Sequence, residues 1–409
     1  MGSPAKRNVV AEKTTTLGKT PRSLRPMVAV GFGIFSDSFL YGIVVPLTAL
    51  SPAGVTSESA LGMLYAGYAL GVLLFTPLCG VLADRIGRKR PLLAGVVLQL
   101  VATLIFAFAP NFWVLMLARI LQGGAAAATW TAGLAVVAES YPEDRVQKMG
   151  LSMVGMTAGS LLGPLAGGAL YDVAGYYAPF WLAGGIVFVD FALRFTLLPW
   201  DCARVRVSNP LPILLRDRSV LVAALVIALI AAGWGVIEPH LPAHLAKEFQ
   251  VSPTMVGLLF TAAGVAYALV TTPVQNMAER RGLRDTIAFG LLLMAVGMPL
   301  LILSPNVWLT TALLCVVSIA YAFAMNPTLA ELADAADRCA PGAYASVYAV
   351  FNIAYALGMI GGDFITGPLA EHFSLLVGFT ALGIVLAGAV PLLWWSFKPR
   401  PISSIASAV

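Results

Sequence analysis

Charged residues are scarce in this sequence. Only 11% of its 409 residues are Asp, Glu, Lys or Arg, and 59% are hydrophobic, whereas soluble domains carry about 25% charged residues. A soluble fold of this length has too little interior to bury so much apolar surface, so most of the chain must be surrounded by lipid. The net charge of +5 is small and its cations cluster at predicted loops, which argues against a nucleic-acid-binding protein.

Residue patterns that carry enzyme chemistry are also missing. The sequence has three histidines, no grouping of a nucleophile with a base, and no nucleotide-binding loop, so we expect that it is not an enzyme. Its four cysteines lack metal-ligand or disulfide spacing; they are Cys79, Cys202, Cys315 and Cys339. We therefore expect no metal and no organic cofactor.

Signals for secretion and for glycosylation are absent too. Residues 1–25 are polar and basic without a hydrophobic core, so they predict a disordered cytosolic tail and not a cleavable signal peptide. No Asn-x-Ser/Thr sequon occurs, so the sequence shows no sign of glycosylation.

Long apolar runs make up most of the remaining chain. A run of about 20 residues is needed to cross a hydrocarbon core of about 30 Å. Such runs must be helices, because backbone polar groups in lipid have to be satisfied within the segment. Twelve spans are predicted, near 27–50, 60–83, 90–109, 112–138, 149–171, 178–199, 219–246, 254–278, 286–304, 307–332, 343–370 and 374–397.

Lysine and arginine lie almost entirely on one side of these spans. They occur in the N-terminal tail and in the loops after the second, fourth, sixth and eighth spans, at Lys6, Arg7, Lys13, Lys19, Arg22, Arg25, Arg85, Arg88, Lys89, Arg90, Arg145, Lys148, Arg204, Arg206, Arg216, Arg218, Arg280, Arg281 and Arg284. The loops on the other side hold one cation, Lys247. Because cytosolic loops carry the excess of Lys and Arg, both termini are predicted to be cytosolic.

The chain contains an internal repeat. Three short segments recur at an offset of 195 or 196 residues, namely 76–77 at 272–273, 83–87 at 278–282 and 110–113 at 305–308. Three matches in register predict two homologous six-helix halves, with the solute site between them near the bilayer midplane. The predicted boundaries are a tail at 1–25, halves at 26–199 and 219–398, a cytosolic linker at 200–218 and a tail at 399–409.

The loop after the second span combines glycines with an acid and several cations. Gly80 is expected to allow close helix contact and Gly87 a tight turn. Asp84, beside Arg85 and Arg88, is expected to latch neighbouring helices and to release them when the halves rock. The alternative is a positive-inside anchor that happens to contain an acid.

Arg119 lies inside the fourth span, seven residues from its start. An arginine at this depth costs at least ~2.5 kcal/mol unless it faces protein or water. A functional position is therefore the favoured interpretation, and snorkelling of the guanidinium to the surface is the alternative.

The fifth span carries glycines every four residues. They form one flat stripe suited to close helix packing, and a proline adds a bend. From the residues alone this is a packing face, made of Gly155, Gly159, Gly163, Pro164 and Gly167.

Carboxylates are rare within the spans. Asp37 lies about 16 Å into the first span, near the midplane, with Tyr41 one turn later on the same face. Glu238 lies in the seventh span, and two prolines after it are expected to break the helix. Buried carboxylates can carry protons and exchange them for a cation. The alternative is that these acids pair with Arg119 or only hold the bundle together.

Other polar residues in the spans have simpler interpretations. Asp190 precedes Arg194 by one turn, so an ion pair near the membrane face is predicted. The role of Asp363 in the eleventh span stays open. His240 and Met325 are expected to be ordinary lining or core residues.

Three of these motifs resemble the major facilitator superfamily. The loop around Asp84 is similar to the superfamily signature, and the stretch around Arg119 is similar to its helix-four motif, whose arginine is associated with proton transfer. The Gly-Pro-x-x-Gly-Gly core at 163–168 is similar to the antiporter motif of its drug exporters. The resemblance implies an all-α membrane protein with twelve transmembrane helices in two pseudo-symmetric six-helix bundles, moving solute and ion in opposite directions.

Nearly the whole of 26–398 is similar to the vesicular amine transporters, which load monoamines or acetylcholine in exchange for protons. The matching stretches are Asp37 with Val44–Pro46, Arg119–Gly123, Tyr176–Phe180, Glu238–Pro242, and Ser346–Ala349, which contains Tyr348. The resemblance implies that Asp37 contacts the substrate amine, and that Glu238 and Arg119 correspond to the family's helix-seven glutamate and helix-four arginine.

The sequence also departs from that family. The long glycosylated loop between helices one and two is replaced by a short turn at 51–59. The family's helix-ten aspartate is Ala322 here, its helix-eleven aspartate is Asn352, and its helix-two lysine is Tyr68. Losing both members of a buried ion pair is energetically consistent, and Tyr68 is predicted to hydrogen-bond Asn352 in the same gap. Proton carriage would then rest on fewer acids, and the short loop indicates a bacterial relative.

We therefore expect a proton-coupled antiporter that exports a cationic or amphipathic small organic molecule, such as an amine or drug. We expect a monomer in the plasma (inner) membrane, or in a vesicle membrane in a eukaryote, with the organic solute, protons and lipid as its partners and no nucleic acid. One alternative is a proton-coupled exporter of a neutral solute such as a sugar. Another is a non-transporting receptor on the same fold, which would need neither the latch nor the buried acids.

Overall fold

The computed structural model describes residues 23–50, 55, 57–141, 145–198, 216–339 and 344–396, and these contain no strand. The helices are α1 (Arg25–Val44), α2 (Glu58–Ile86), α3 (Lys89–Ala107), α4 (Phe112–Ala128), α5 (Leu134–Ser140), α6 (Arg145–Ala174), α7 (Ala178–Leu197), α8 (Arg218–Phe249), α9 (Pro253–Leu269), α10 (Thr271–Arg281), α11 (Leu283–Leu303), α12 (Val307–Cys339), α13 (Tyr344–His372) and α14 (Leu375–Ser396). Most of the predicted tails and linker lies outside the described residues.

The helices are long enough to cross a bilayer. In the described part of the chain, eleven helical spans are long and apolar enough to cross a membrane, and the number is twelve if α9 and α10 count as one bent span. One of the eleven joins α4 to α5 through a π-helical segment, Thr129–Gly133. The predicted all-α, multi-pass membrane fold is confirmed.

Helix ends recur at the offset of the internal repeat. Gly87 ends α2 with φ 87° and ψ 163°, and Gly282 ends α10 with φ 90° and ψ 162°. These left-handed values favour glycine, because a Cβ is strained there. Asn111 and Asn306 cap α4 and α12 in the same way, each accepting from the backbone N–H three residues later.

Prolines shorten one predicted span and bend another. The first span was predicted to reach residue 50, but α1 ends at Val44, just before Pro46. Pro46 has no N–H to donate to the carbonyl of Gly42, which accepts from Val45 instead, and this loss of the regular hydrogen bond accounts for the early end. The eighth span bends by 42° between α9 and α10, at Val270. Pro273 lacks an N–H and crowds the carbonyl one turn back, which produces this break.

The seventh span, by contrast, does not break. Pro239 and Pro242 both lie inside α8, which stays helical from Arg218 to Phe249. The prediction of a broken helix is therefore wrong. Each proline removes only one backbone donor, and surrounding helices can hold such a segment in helical geometry.

The glycine stripe of α6 packs directly against α1. A Cβ on Gly159 would lie 2.6 Å from the carbonyl oxygen of Phe35, and one on Gly163 would lie 2.6 Å from that of Phe39. Side chains at these positions would therefore force the two backbones apart, so the stripe forms a close helix contact.

The helices pack in two similar groups, α1–α7 and α8–α14. Contacts in the first group have counterparts in the second: α1 with α6 corresponds to α8 with α13, and α3 with α7 to α11 with α14. The groups meet mainly where α2 packs on α13 and where α6 packs on α9.

The two groups are closed together at the end of the bundle where α9 begins, which we term the Pro253 end. There the backbone N–H of Thr254 donates to Asp172 at 3.0 Å. One turn deeper, a Cβ on Gly257 would lie 2.3 Å from the carbonyl oxygen of Pro164, so α6 and α9 touch through their backbones. These contacts join the two groups of helices at that end.

Candidate functional site

A cavity of about 310 Å³ lies between the two groups of helices. Five predicted substrate and proton residues line it: Asp37, Tyr41, Tyr68, Glu238 and Asn352. They come from α1, α2, α8 and α13, so packing brings together residues that are far apart in the sequence. A concave, largely apolar cavity with a few converging polar groups is the usual form of a small-molecule site.

Asp37 is held at one oxygen only. The residue is 5% exposed, and its Oδ2 accepts a hydrogen bond from Nε1 of Trp130 at 2.8 Å. Oδ1 has no hydrogen bond of ordinary geometry within the described part of the chain, although Tyr68 interacts with the same carboxyl group. The indole thus fixes one carboxyl oxygen, and the contact of the group with Tyr68 is looser.

Trp130 is positioned by the π-helical segment Thr129–Gly133. A π segment inserts extra backbone into a helical turn and so rotates the residues that follow, and such segments are frequent at functional sites. The neighbouring Thr129 faces another way and accepts from Nη1 of Arg194 at 3.1 Å. The predicted fourth span was an uninterrupted helix, so this feature and Trp130 were missed.

Glu238 accepts a hydrogen bond at each oxygen. Trp234, one turn earlier on α8, donates from Nε1 to Oε1 at 2.9 Å, and the hydroxyl of Tyr41 donates to Oε2. Tyr41 belongs to the first group of helices and Glu238 to the second. This carboxyl group therefore joins the two groups across the cavity.

Arg119 lies next to the cavity and is fully buried, at 0% exposure. Nη1 donates to Gln122 at 3.1 Å, and the guanidinium lies over the rings of Tyr65 at 4.6 Å, Phe106 at 5.3 Å and Tyr41 at 5.6 Å. It forms no ion pair with a carboxylate of the described residues. The alternatives of a snorkelling arginine and of an acid paired with it are therefore both wrong in this conformation.

Tyr68 and Asn352 both line the cavity without forming the predicted hydrogen bond. Tyr68 packs on the ring of Tyr41, with the centroids 4.8 Å apart, and faces Asp37. The interpretation that they replace a buried ion pair by a neutral hydrogen bond is wrong for this conformation, since Tyr68 is drawn to the carboxyl group on α1. The side chain of Tyr348 lies outside the described residues.

Aromatic residues from the second group form the opposite wall. Trp234 and Tyr267 each pack on Tyr321, with ring centroids 5.3 Å and 5.9 Å apart, and Tyr267 donates to Asn326 at 2.7 Å. Rings of this kind attract organic cations through their faces. The sequence contained a signal for this wall, because Trp and Tyr usually lie at the membrane interface and these lie in mid-span.

The predicted latch loop lies at the opposite end of the bundle, which we term the Arg88 end. Arg88 forms an ion pair with Glu139 at 3.0 Å and so ties α3 to α5. Arg85 is exposed, and the side chain of Asp84 lies outside the described residues. Among the described residues Gly80 has no close neighbour, the nearest atom to an added Cβ being 3.9 Å away on Thr131. The expectation of a tight contact at Gly80 is therefore wrong.

The structure also locates the remaining residues that were discussed within the predicted spans. Arg194 and Asp190 form the predicted pair, bonded at 2.7 Å through both oxygens. Met325 lines the cavity. His240 is buried, but its Nδ1 lies 2.6 Å from Glu58, so it has a specific partner across the two groups.

Comparison with known sequences identifies one superfamily and several relatives. The sequence model of the Major Facilitator Superfamily matches residues 27–212 and again 223–408. The synaptic vesicular amine transporter of Rattus norvegicus is 28% identical over 345 residues, which cover 83% of this chain and 66% of that protein. A probable vesicular acetylcholine transporter of Danio rerio is 27% identical over 402 residues, covering 93% of this chain and 80% of that protein. The chain thus spans 66% of the length of the amine transporter.

Solved structures show the same fold. A bacterial homologue of the human lysosomal transporter Spinster, in an inward-facing and occupied conformation, superposes with a TM-score of 0.78 at 15% identity over 94% of this chain and 100% of that one. The nucleoside transporter NupG gives a TM-score of 0.70 at 12% identity over 93% and 100%. At these identities the likeness is one of fold alone.

Proposed function

The chain belongs to the Major Facilitator Superfamily and is a multi-pass membrane transporter, and from that premise we propose that it exchanges protons for a cationic or amphipathic small organic molecule such as an amine. The observation that carries the proposal is the pair of buried carboxyl groups, Asp37 and Glu238, in one aromatic cavity. Similarity to proteins named as vesicular amine and acetylcholine transporters supports an amine as the solute.

Asp37 is the proposed anchor for the solute cation. Moving an organic cation out of water is costly unless a buried opposite charge compensates it. One oxygen of the Asp37 carboxyl group has no hydrogen bond of ordinary geometry within the described part of the chain, and the aromatic side chains of Tyr68 and Trp130 line the cavity beside it. A proton and a cation compete for the same carboxylate, which is the basis of exchange.

Glu238 is the proposed link between proton binding and movement of the helices. Its two oxygens accept from Trp234 and Tyr41. A protonated Glu238 carries a hydrogen on one oxygen. Trp234 can only donate to Oε1, whereas the Tyr41 hydroxyl can also accept, so Oε2 is the favoured position for that hydrogen and the bond with Tyr41 then reverses or breaks. Because this bond joins the two groups, proton binding changes the contact between them and favours one conformation over the other. Arg119, whose guanidinium lies over the ring of Tyr41, is proposed to act on Glu238 through that ring.

Alternating access then follows from rocking the halves 26–199 and 219–398. We propose that the Arg88 end and both termini are cytosolic, as the Lys/Arg distribution predicts. The conformation closed at the Pro253 end is then the one that takes up solute from the cytosol for export. The loop containing Asp84 is proposed to latch the cytosolic end in the opposite conformation, and the ion pair of Arg88 with Glu139, which lies within the first group, is proposed to hold that loop in position.

The test uses a permanently charged probe in proteoliposomes. Phenyltrimethylammonium is suitable, because an ordinary amine crosses lipid as the neutral base and accumulates in acidic vesicles without a transporter. An inside-acid gradient is expected to accelerate its uptake, and a protonophore to abolish the gain. Asp37→Asn and Glu238→Gln should each remove the gradient-driven component.

The controls separate antiport from its rivals. Protein-free liposomes should show no uptake under the same gradient. Uptake of the cation that ignores the gradient would refute proton exchange, and gradient-driven uptake of a neutral sugar in place of the cation would favour the neutral-solute exporter.

A further inference from the structure

The contact surface between α2 and α13, which we term the seam, contains a carboxyl group that is not part of the cavity lining. Asp363 lies on α13 and is 2% exposed. Neither of its oxygens has a hydrogen-bond partner within the described part of the chain. It follows Met359, a cavity-lining residue of the same helix, by four residues, which places it one turn, about 6 Å, nearer the Pro253 end. Asp363 itself is not among the residues that line the cavity.

Glycines bring the two helices into contact on both sides of this carboxyl group. A Cβ on Gly62 of α2 would lie 3.3 Å from the Cβ of Asp363, and one on Gly367 of α13 would lie 3.1 Å from the Cα of Ser59. The close approach encloses the side chain between the two groups of helices. The enclosure exists only while the Pro253 end is closed, because α2 and α13 belong to different groups.

Few titratable groups face this part of α13. Of the helices packed on α13, α2 carries Glu58 and Tyr65, α8 carries Glu238, His240 and His244, α12 carries Cys315 and Tyr321 in the half nearer the Pro253 end, and α14 has none. Among these groups only the two histidines can carry a positive charge; Nδ1 of His240 is paired with Glu58 at 2.6 Å, and His244 interacts with the same acid. These helices thus leave Asp363 without a cation of its own.

A carboxylate in this setting cannot stay ionised. Burying a charge without a counter-ion or hydrogen bonds is far more costly than burying the neutral acid. In the closed conformation Asp363 is therefore protonated. When the seam opens, water reaches the carboxyl group and solvates its charge, so the proton can leave.

We propose that Asp363 is a second proton-binding site, which takes up one proton from the water at the Pro253 end as the seam closes and returns it to the same side when the seam opens. The proton moves from a hydronium ion to the carboxylate, which gives water and the carboxylic acid and requires no other reactant. The site makes closure of that end favourable in acid, and it carries no proton across the membrane. The proposal rests on alternating access as proposed above and does not depend on the identity of the solute.

The test measures the conformational equilibrium without solute or gradient, so its outcome is separable from proton exchange. Val173→Cys on α6 and Phe373→Cys, directly after α13, place spin labels at exposed sites near the Pro253 end, in a background without the native cysteines. Electron paramagnetic resonance distances are recorded in lipid nanodiscs from about pH 5 to about pH 9. We expect the ratio of open to closed molecules to rise with pH, by up to about tenfold per unit, the slope for one proton.

Matched variants, all compared in a Glu238→Gln background so that the proton effect proposed for Glu238 is absent, assign the response to one residue. Asp363→Asn, a neutral group of the same size, should stay closed at every pH, and Asp363→Ser tests the same point if the amide variant fails to fold. Adding Asp37→Asn or His240→Gln instead should leave the pH dependence of that background unchanged. A response that persists without the carboxyl group at 363, or that disappears in His240→Gln, would overturn the proposal. Closure that depends on sodium, seen when choline chloride replaces sodium chloride, would also overturn it in favour of a metal cation.

Discussion

Replacing Asp37 by asparagine removes a charge from the cavity while leaving its shape unchanged. The asparagine side-chain oxygen can still accept the hydrogen bond that Trp130 now donates to Oδ2 at 2.8 Å. The glycine contacts between α1 and α6 do not involve this side chain. We therefore expect Asp37→Asn to fold normally and to differ from the wild type mainly in how it binds cations.

The size of the effect follows from the burial of Asp37, which is 5% exposed. A cation about 5 Å from a carboxylate gains about 3 kcal/mol at an effective dielectric constant of about 20. Part of this is lost because the carboxylate is itself desolvated when the cation binds. We therefore expect Asp37→Asn to lose about 1.5–3 kcal/mol of cation-binding free energy, which corresponds to a Kd raised about 10- to 150-fold.

Equilibrium binding of two isosteric probes measures this loss. Phenyltrimethylammonium carries the charge, and the compound with carbon in place of its nitrogen does not. We expect the cation to lose affinity by the amount above and the neutral probe to change by less than about threefold, since both make the same ring contacts. Equal losses for the two probes would refute the reasoning and would leave Asp37 a structural or purely proton-carrying residue. Trp130→Phe, which keeps a ring but loses the N–H, should reduce the binding free energy of the cation by a smaller amount, about 0.5–1.5 kcal/mol.

Three further predictions follow from the packing and the latch. Gly159→Ala should destabilise the protein by about 1–3 kcal/mol in thermal unfolding, because its Cβ would meet the α1 backbone. The control Gly150→Ala, which places a Cβ in open space, should not destabilise it. Equal effects of the two substitutions would mean that the stripe is not a tight contact. Glu139→Gln should slow transport turnover and leave equilibrium solute binding unchanged, and a large fall in affinity at normal turnover would contradict a role in cycling. A double-mutant cycle of Tyr68→Phe and Asn352→Ala should show coupling below about 0.5 kcal/mol in thermal stability, while coupling above about 1 kcal/mol would mean that they meet after all.

The predicted spans matched the helices because hydropathy is a property of local sequence. Most predicted bounds lie within a few residues of the observed ones, and the two clear departures are at prolines. At Pro273 the span bends, whereas α8 continues through Pro239 and Pro242. Sequence identifies each proline as a weak point, but the neighbouring helices decide whether the backbone bends there.

The site was predictable in part for a similar reason. Asp37 and Glu238 were identifiable because a carboxylate in an apolar span is rare and costly. Their hydrogen-bond partners, Trp130 and Trp234, could not be identified from the sequence, because only packing directs an indole N–H toward an acid. The expected bond between Tyr68 and Asn352 failed since two cavity-facing residues need not be at bonding distance.

The sequence by itself determined the membrane environment, the helical class and the scarcity of buried charge, which follow from the free energy of placing each residue type in lipid, and it showed the two-fold repeat through segments that recur at one offset. Tertiary structure alone decided which helices touch at the Pro253 end, how the π-helical segment Thr129–Gly133 turns Trp130 toward Asp37, and that Asp363 is enclosed without a hydrogen-bond partner among the described residues. These features depend on the rotation and spacing of helices about one another. Many side chains from distant parts of the chain set that geometry together, and no local segment encodes it.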